Sequence, residues 1–463
     1  MENKTSPGKL PVSQAISLIV TFCTISALFI YLIYSGNFVF GSDLGQWIYS
    51  YFRTIQSIPL WIPLAVLVMT GIIIYFGSKL IQNHEKLTLL GCFILAVIIQ
   101  ILIQKIYPYS LDQMIKSNVS NSFYTPALKY STNYLLSQYQ NIVSTFPLHA
   151  RTNMPGKILF YQFLLLFTPS LQMMGYLIIS ISTLGGLLLY GICKRLFLNK
   201  NTALYAFVLY VLIPCKQIFF PILNTVTPLF ILLCLYLFIV YLDSKKKVHL
   251  ILLGISIYFL VLFEPSPLVA GILFIGIFIH SIVQKRISLK ELISVLLIPT
   301  GSFLAVFILF IIIFHFNLLQ SFQYVMNDAT NFNMNAGRSY QIWLRENVKE
   351  FFFSTGLPVM MIFIYFVINM VSEWKTSGIN ILRWSIDKIY TLSLILTFCV
   401  VLFLGINRGE TTRLWIYLAV FFQVPAAFFM TKKVQNNTLF FFVACTLIAQ
   451  SIISLQRVGF IIP

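Results

Sequence analysis

Apolar residues in this chain come in long unbroken runs, without the alternation of a half-buried strand or the three-to-four spacing of a soluble amphipathic helix. Runs near 15–35, 58–77, 87–106, 171–193, 202–220, 222–242, 247–263, 265–283, 290–316, 351–371, 388–405, 414–431 and 437–455 approach or exceed the roughly 20 residues a helix needs to cross a bilayer core. Hydrocarbon offers the backbone no hydrogen bonds, so each run must satisfy its own N–H and C=O groups as a helix. The pattern predicts an all-α integral membrane protein with about thirteen transmembrane helices. One further run, 157–169 (KILFYQFLLLFTP), is apolar but too short to cross, and is expected to lie as a re-entrant or juxtamembrane helix. Two hydrophilic stretches, about 107–156 and 317–350, interrupt the runs.

Composition agrees. Of 463 residues, 59% are apolar, 16% aromatic and 10% charged, against roughly 25% charged in a soluble domain. The formal charge of +18 does not point to nucleic acid, because the basic residues sit in short clusters between apolar runs. The seven cysteines, Cys23, Cys92, Cys193, Cys215, Cys234, Cys399 and Cys445, lie in or beside those runs without metal-binding spacing. No phosphate-binding GxxxxGK[ST] loop is present, and the loops between runs are too short for a nucleotide-binding domain. The N-terminus lacks a cleavable leader pattern, so its first run is expected to be retained.

Charge also sets the expected topology. With 157–169 held on the outer side, fourteen Lys and Arg downstream face inward: Lys194, Arg195, Lys200, Lys245, Lys246, Lys247, Lys285, Arg286, Lys290, Lys375, Arg383, Lys388, Lys432 and Lys433. Seven face outward: Lys216, Arg338, Arg345, Lys349, Arg408, Arg413 and Arg457. Letting 157–169 cross would reverse the ratio, against the positive-inside rule. The N-terminus, with Lys4 and Lys9, is then cytoplasmic, and both hydrophilic stretches face outward.

Candidate chemistry therefore lies on the outer side. Its carboxylates are Asp43, Asp112, Glu264, Asp328, Glu346, Glu350 and Glu410. Glu346 and Glu350 read as solvated loop acids. Glu264 (YFLVLFEPSP) and Glu410 (LFLGINRGETTRLW) each end an apolar run, where an unpaired carboxylate is costly. Arg408 and Arg413 flank Glu410 and point either to a structural ion pair or to a cradle for phosphate. In FPLHARTNMPGKILFYQ, Pro155-Gly156 breaks the chain before the short helix, whose free N–H groups favour anions. His149, Arg151 and Lys157 add positive charge there, suited to a lipid-linked phosphate or to headgroup anchoring. In the second stretch, Arg338, Tyr340 and Trp343 have the spacing of a polar turn entering an interfacial helix, where Tyr and Trp are also common belt residues.

The order of these pieces resembles the GT-C superfamily, the multispan glycosyltransferases that use polyprenyl-phosphate sugars, above all its protein mannosyltransferase and aminoarabinose transferase group and related bacterial envelope enzymes. HARTNMPGKILFYQFLLLFTPS resembles the turn that opens their juxtamembrane helix, and AGRSYQIWLRENVKEFFFSTGLP and RGETTRLWIYL are similar to later segments. The resemblance covers roughly 87–430, which makes 1–86 an N-terminal addition and 431–463 a C-terminal helix. It implies a GT-C-like fold and inverting sugar transfer from a polyprenyl-phosphate donor to a glycan, lipid or protein acceptor, on the outer face of the cell membrane. The family's acidic pair would fall where Ser120 and Asn121 stand, before the Tyr124-x-x-Ala127 of SNSFYTPA, and this chain departs from it. The implied base is then Asp112, with Asp43 behind it. His149, Arg151, Lys157, Arg338 and Arg413 are the expected donor-phosphate ligands, and Glu410 is expected to orient Arg413. A divalent cation is compatible with this chemistry without being required, and no other cofactor is implied. The competing classes are an envelope polysaccharide polymerase or ligase, and a transporter or flippase. The last predicts ionisable groups at mid-span, whereas these lie almost wholly at the ends of the runs.

Overall fold

A computed structural model of the chain describes residues 9–44, 47–335, 337–377 and 384–460. Lys4 and Arg383, two of the basic residues assigned to the inner side, lie outside the described residues. The described chain is almost wholly helical, and its only strands are two-residue pieces.

Among the described residues, eleven helices are long and apolar enough to cross a membrane: Val12–Tyr34, Trp61–Asn83, Glu85–Gln104, Leu171–Phe197, Lys200–Phe219, Leu223–Ser244, Ser266–Val283, Glu291–Phe314, Leu357–Lys375, Ile386–Leu404 and Asn437–Arg457. The fold is thus that of an all-α, multi-pass membrane protein. The other two expected spans are helical but shorter. Val248–Phe263 has 16 residues, and Ile416–Phe429 has 14 before the π-helical Met430–Val434. At ~1.5 Å per residue both fall short of the ~30 Å hydrocarbon core. Every residue of Ile416–Phe429 is buried, as is the whole of the apolar window in Lys200–Phe219. These two helices form the centre of the bundle, shielded from lipid by the rest. At the opposite extreme, only 6% of the window in Glu291–Phe314 is buried. That helix leans on Val248–Phe263, and Val12–Tyr34 lies along Asn437–Arg457.

Local chemistry sets the helix ends. Ser170 caps Leu171–Phe197 by accepting from the Met173 N–H, and Lys194 and Arg195 fill that helix's last turn. Asn199 and Asn436 cap the helices that follow them, and Ser288 with Glu291 forms a capping box. The basic end of the bundle is laced by ion pairs: Lys194 to Glu85 at 2.6 Å, Arg195 to Asp243 at 2.8 Å and Lys245 to Glu291 at 3.2 Å.

The other end carries the loops. Residues 107–156 fold into short helices, among them Leu111–Lys116, Asn118–Lys129 and Leu148–Arg151. Residues 317–350 form Leu318–Asn335 and the start of Tyr340–Thr355. The two stretches dock: Tyr139 meets the Phe316 ring edge-on at 5.8 Å, the Gln140 amide donates to the Ser321 hydroxyl at 2.7 Å, and Arg151 pairs with Asp328 at 3.1 Å. The expected short helix is present as Gly156–Leu165. It stays at this end, since Gln162 donates to the Tyr130 carbonyl at 2.6 Å and accepts from Thr132 at 2.9 Å. The chain between the first two long helices also contributes here. Gly41–Ser42 pairs antiparallel with Trp47–Ile48, and Tyr51–Phe52 pairs antiparallel with Val458–Gly459 near the C-terminus.

Candidate functional site

The short helix Gly156–Leu165 presses directly onto the end of Val248–Phe263. A side-chain carbon at position 156 would collide with the backbone of Leu262 and Phe263, so glycine is required for this approach. The approach delivers Lys157 to Glu264, whose Oε2 lies 2.9 Å from the ammonium, with the two side chains only 2% and 7% exposed. Asn153 Oδ1 also accepts from Lys157 at 3.0 Å. Glu264 accepts further from Thr227 at 2.6 Å, Ser266 at 3.1 Å and Asn224 at 3.3 Å. The carboxylate thus has four donors and the ammonium two acceptors, the kind of compensation that burial of two charges demands.

A second buried element holds Glu410 and Arg413. Tyr340–Thr355 buries Trp343, Asn347, Glu350, Phe351 and Ser354 on one face. Asn347 donates to the Asn407 carbonyl at 2.8 Å and accepts from the Gly409 N–H at 3.1 Å. Glu350 Oε2 accepts from the Thr411 N–H at 3.0 Å and hydroxyl at 2.8 Å. These bonds fold 405–411 into a tight turn in which Gly405, Gly409 and Glu410 all have positive φ. The turn puts the Glu410 carboxylate against the Arg413 guanidinium in a close ion pair. Arg338 donates to the Arg408 carbonyl at 2.8 Å, and Arg408 donates back to the Arg338 carbonyl at 2.5 Å, tying the second stretch to the same turn.

The two elements meet. Arg413 repels the Lys157 ammonium, and His149 feels Arg413, Glu410 and Lys157 together. Glu410 in turn feels Arg413, His149 and Arg338. Burial first, then repulsion by Arg413, pushes the His149 imidazole down to about 4, so it is neutral near pH 7. Burial opposes ionisation of Glu410, but Arg413, His149 and Arg338 more than offset it and hold its carboxyl below the usual range. Burial lowers Arg338 to about 10 despite the pull of Glu410. Glu350, fully enclosed, is pushed up by burial to about 7.

Of the sequence-predicted residues, His149, Lys157, Arg338, Glu410 and Arg413 therefore lie within electrostatic reach of one another, with Glu410 and Arg413 in direct contact. The others stand apart. Arg151 is partly exposed and pairs with Asp328. Asp112 lies in the first turn of Leu111–Lys116, where Ser110, the turn's N–H groups and Lys116 hold its carboxyl below the usual range. Asp43 is exposed in the hairpin turn after Gly41–Ser42. Glu350 corrects the sequence reading: it is 0% exposed, not a solvated loop acid, while Glu346 does pair with its neighbour Lys349. The periodic burial of Trp343, Asn347, Glu350 and Ser354 was the signal that places Glu350 on an inward helix face. Trp343 is 1% exposed, so it is a core residue and not a membrane-belt residue.

The site does not suit a metal. Among the described residues no three His, Cys, Asp or Glu side chains converge to hold one, and Glu264 and Glu410 are already paired with Lys157 and Arg413. Three cations, Lys157, Arg338 and Arg413, thus stand against two carboxylates and a neutral imidazole, an excess of one positive charge. A separate apolar cavity of about 250 Å³ lies between Leu357–Ser377, Ile386–Leu404 and Ile416–Phe429, lined by Phe352, Met360, Phe363, Val367 and Phe398 among others and by none of the cluster's charged residues. Its rim touches the site's support, because Phe398 packs on Phe351 at 5.0 Å and on Trp415 at 6.1 Å.

Fold and site together define a multi-pass helical membrane protein with a buried, cation-rich cluster at its loop-bearing end. The chain matches no model of a known protein family, and no curated protein matches it.

Proposed function

We propose that the chain is a membrane glycosyltransferase of the GT-C type, which moves a sugar from a polyprenyl-phosphate donor to an acceptor on the extracytoplasmic face in cell-envelope glycan synthesis or modification. The observation that carries this reading is that three stretches of chain bring His149, Arg338 and Arg413 into the field of Glu410, with Lys157 in the field of Arg413 and His149. Arg413, held by Glu410, offers the fork geometry that phosphate oxygens accept. The apolar cavity that reaches Phe351 and Trp415 through Phe398, with its aromatic and aliphatic lining, is of the kind an isoprenoid tail fills.

In the reaction, a carboxylate takes the proton of an acceptor hydroxyl, and the hydroxyl oxygen forms a bond to the anomeric carbon. The bond from that carbon to the phosphate oxygen breaks, and the lipid phosphate leaves with the electron pair. Lys157, Arg338 and Arg413 stabilise the leaving charge, and His149 takes a proton from solvent as the anion forms, the acceptor's own proton having gone to the carboxylate. Asp112 is the base of choice. It is ionised, and its helix packs on Asn118–Lys129, which packs on Gly156–Leu165. Asp43 is the alternative.

The test is transfer in vitro from a panel of polyprenyl-phosphate sugars by wild type, Asp112→Asn and Arg413→Ala. The reading expects transfer from one donor, with both variants slowed at least about a hundredfold, the scale of losing a general base or a charge stabiliser. Transfer only from oligosaccharide-diphosphate lipids would assign the chain to the polymerase or ligase class instead.

A further inference from the structure

The hairpin that follows the first helix belongs to the N-terminal segment outside the resemblance, yet it reaches the heart of the site. Phe40 is 0% exposed, and its ring lies 4.4 Å from Phe353 and 5.0 Å from Phe460. From that anchor, the Gly41 N–H donates to Glu350 Oε1 at 3.3 Å, and the Gly41 carbonyl accepts from Lys349 at 3.3 Å. The pairing of Tyr51–Phe52 with Val458–Gly459 fixes the hairpin's far end. Between the two anchors the chain carries Tyr49, whose hydroxyl is closed off from solvent and faces Glu350 and Thr412. Glu350 is the carboxylate that holds the Thr411 N–H and hydroxyl. A continuous chain of contacts thus runs from the hairpin through Glu350 to the turn presenting Glu410 and Arg413.

We propose that this hairpin is a working part of the site, and that Tyr49 is a positioning residue which, through Glu350 and Thr411–Thr412, sets where the Arg413 guanidinium stands. The N-terminal helices would then be needed to place the phosphate ligand, not merely to anchor the chain. The geometric claim is independent of the ligand; its consequence for polyprenyl phosphate rests on the function proposed above. Tyr51, two residues on, faces Arg53 and Tyr109 instead, and so provides a control within the same segment.

Two readouts on the full-length protein in detergent separate the claims. The first is the rate at which phenylglyoxal modifies Arg413, followed by peptide mass spectrometry with Arg195 at the opposite end as internal reference. Arg413 is 7% exposed, so slow modification is expected in wild type. Tyr49→Phe should raise its rate on the order of fivefold, the scale of losing one buried polar contact. Tyr51→Phe and the Arg195 rate should stay unchanged. The second readout is binding of radiolabelled polyprenyl phosphate, which Tyr49→Phe should weaken by a similar factor. An unchanged Arg413 rate in Tyr49→Phe, or an equal rise in Tyr51→Phe, overturns the proposal. If wild type fails to bind polyprenyl phosphate while the Arg413 rate behaves as stated, the positioning role stands and the glycosyltransferase reading falls.

Discussion

Lys157 and Glu264 meet 2.9 Å apart with side chains 2% and 7% exposed, while Arg151 and Asp328 meet at 3.1 Å with 37% and 23% exposed. The lengths are similar, and burial decides the energetics. Truncating one partner of the enclosed pair strands a charge away from water, so Lys157→Ala or Glu264→Ala should each cost about 3–5 kcal/mol. The double variant Lys157→Met with Glu264→Met should cost less than either alone. Arg151→Ala should cost no more than about 1 kcal/mol. Reversible unfolding in mixed micelles measures all four. Additive losses in the double variant would mean that the pair is not coupled.

Stability should respond to pH through two groups with opposite signs. Glu350 is raised to about 7, so the folded state holds its proton longer than the unfolded chain does. Its contribution is full below the ordinary carboxyl range and fades as pH climbs through 7. His149 is lowered to about 4, so its contribution is full above the ordinary imidazole range and fades as pH falls through 4. Each is worth at most about 3 kcal/mol, and the windows overlap, so wild type should be nearly flat between pH 5 and 6.5. Glu350→Gln should leave a stability that rises with pH across that window, and His149→Gln one that falls. Parallel profiles in the two variants would exclude this balance.

Solvent and the length of the apolar runs made much of the fold legible. Runs of apolar residues can fold only as helices in lipid, and eleven of the expected spans are full-length helices. Two came out short, since Val248–Phe263 stops at Glu264 and Ile416–Phe429 passes into the π-helical Met430–Val434, and a run's composition does not tell a helix facing lipid from one facing protein. The basic and breaker residues of the short helix pointed to Lys157, and the cost of a carboxylate beside hydrocarbon pointed to Glu264. That the two pair depends on the close approach at Gly156, which is tertiary. Glu350 was misread because hydrophilic composition masked a helix with one buried face. Nothing in the sequence of the hairpin marks Tyr49, whose role arises entirely from where 41–52 docks.

Arg413 presents a planar fork, and its close pair with Glu410 fixes the fork's direction. Lysine would keep the charge but lose that geometry. Arg413→Lys should therefore bind polyprenyl phosphate about tenfold more weakly, equivalent to roughly 1.4 kcal/mol, with thermal stability nearly preserved. Glu410→Gln should weaken binding less, since it frees Arg413 without removing it. Equal binding by wild type and Arg413→Lys would place the phosphate elsewhere.

Binding of a phosphate should also move a proton. His149 is neutral because burial and the nearby Arg413 and Lys157 disfavour a further positive charge. An anion seated among the same cations would cancel their repulsion and raise the imidazole towards the neutral range. Calorimetric titration of polyprenyl phosphate at pH 6 in buffers of different ionisation enthalpy should then show proton uptake that is lost in His149→Gln. Uptake of the same size in that variant would assign the proton to another group, with the lipid phosphate itself (second pKa roughly 6) as the first alternative. No uptake in wild type would mean that the phosphate does not approach the imidazole, and His149 would then serve only as a buried packing residue.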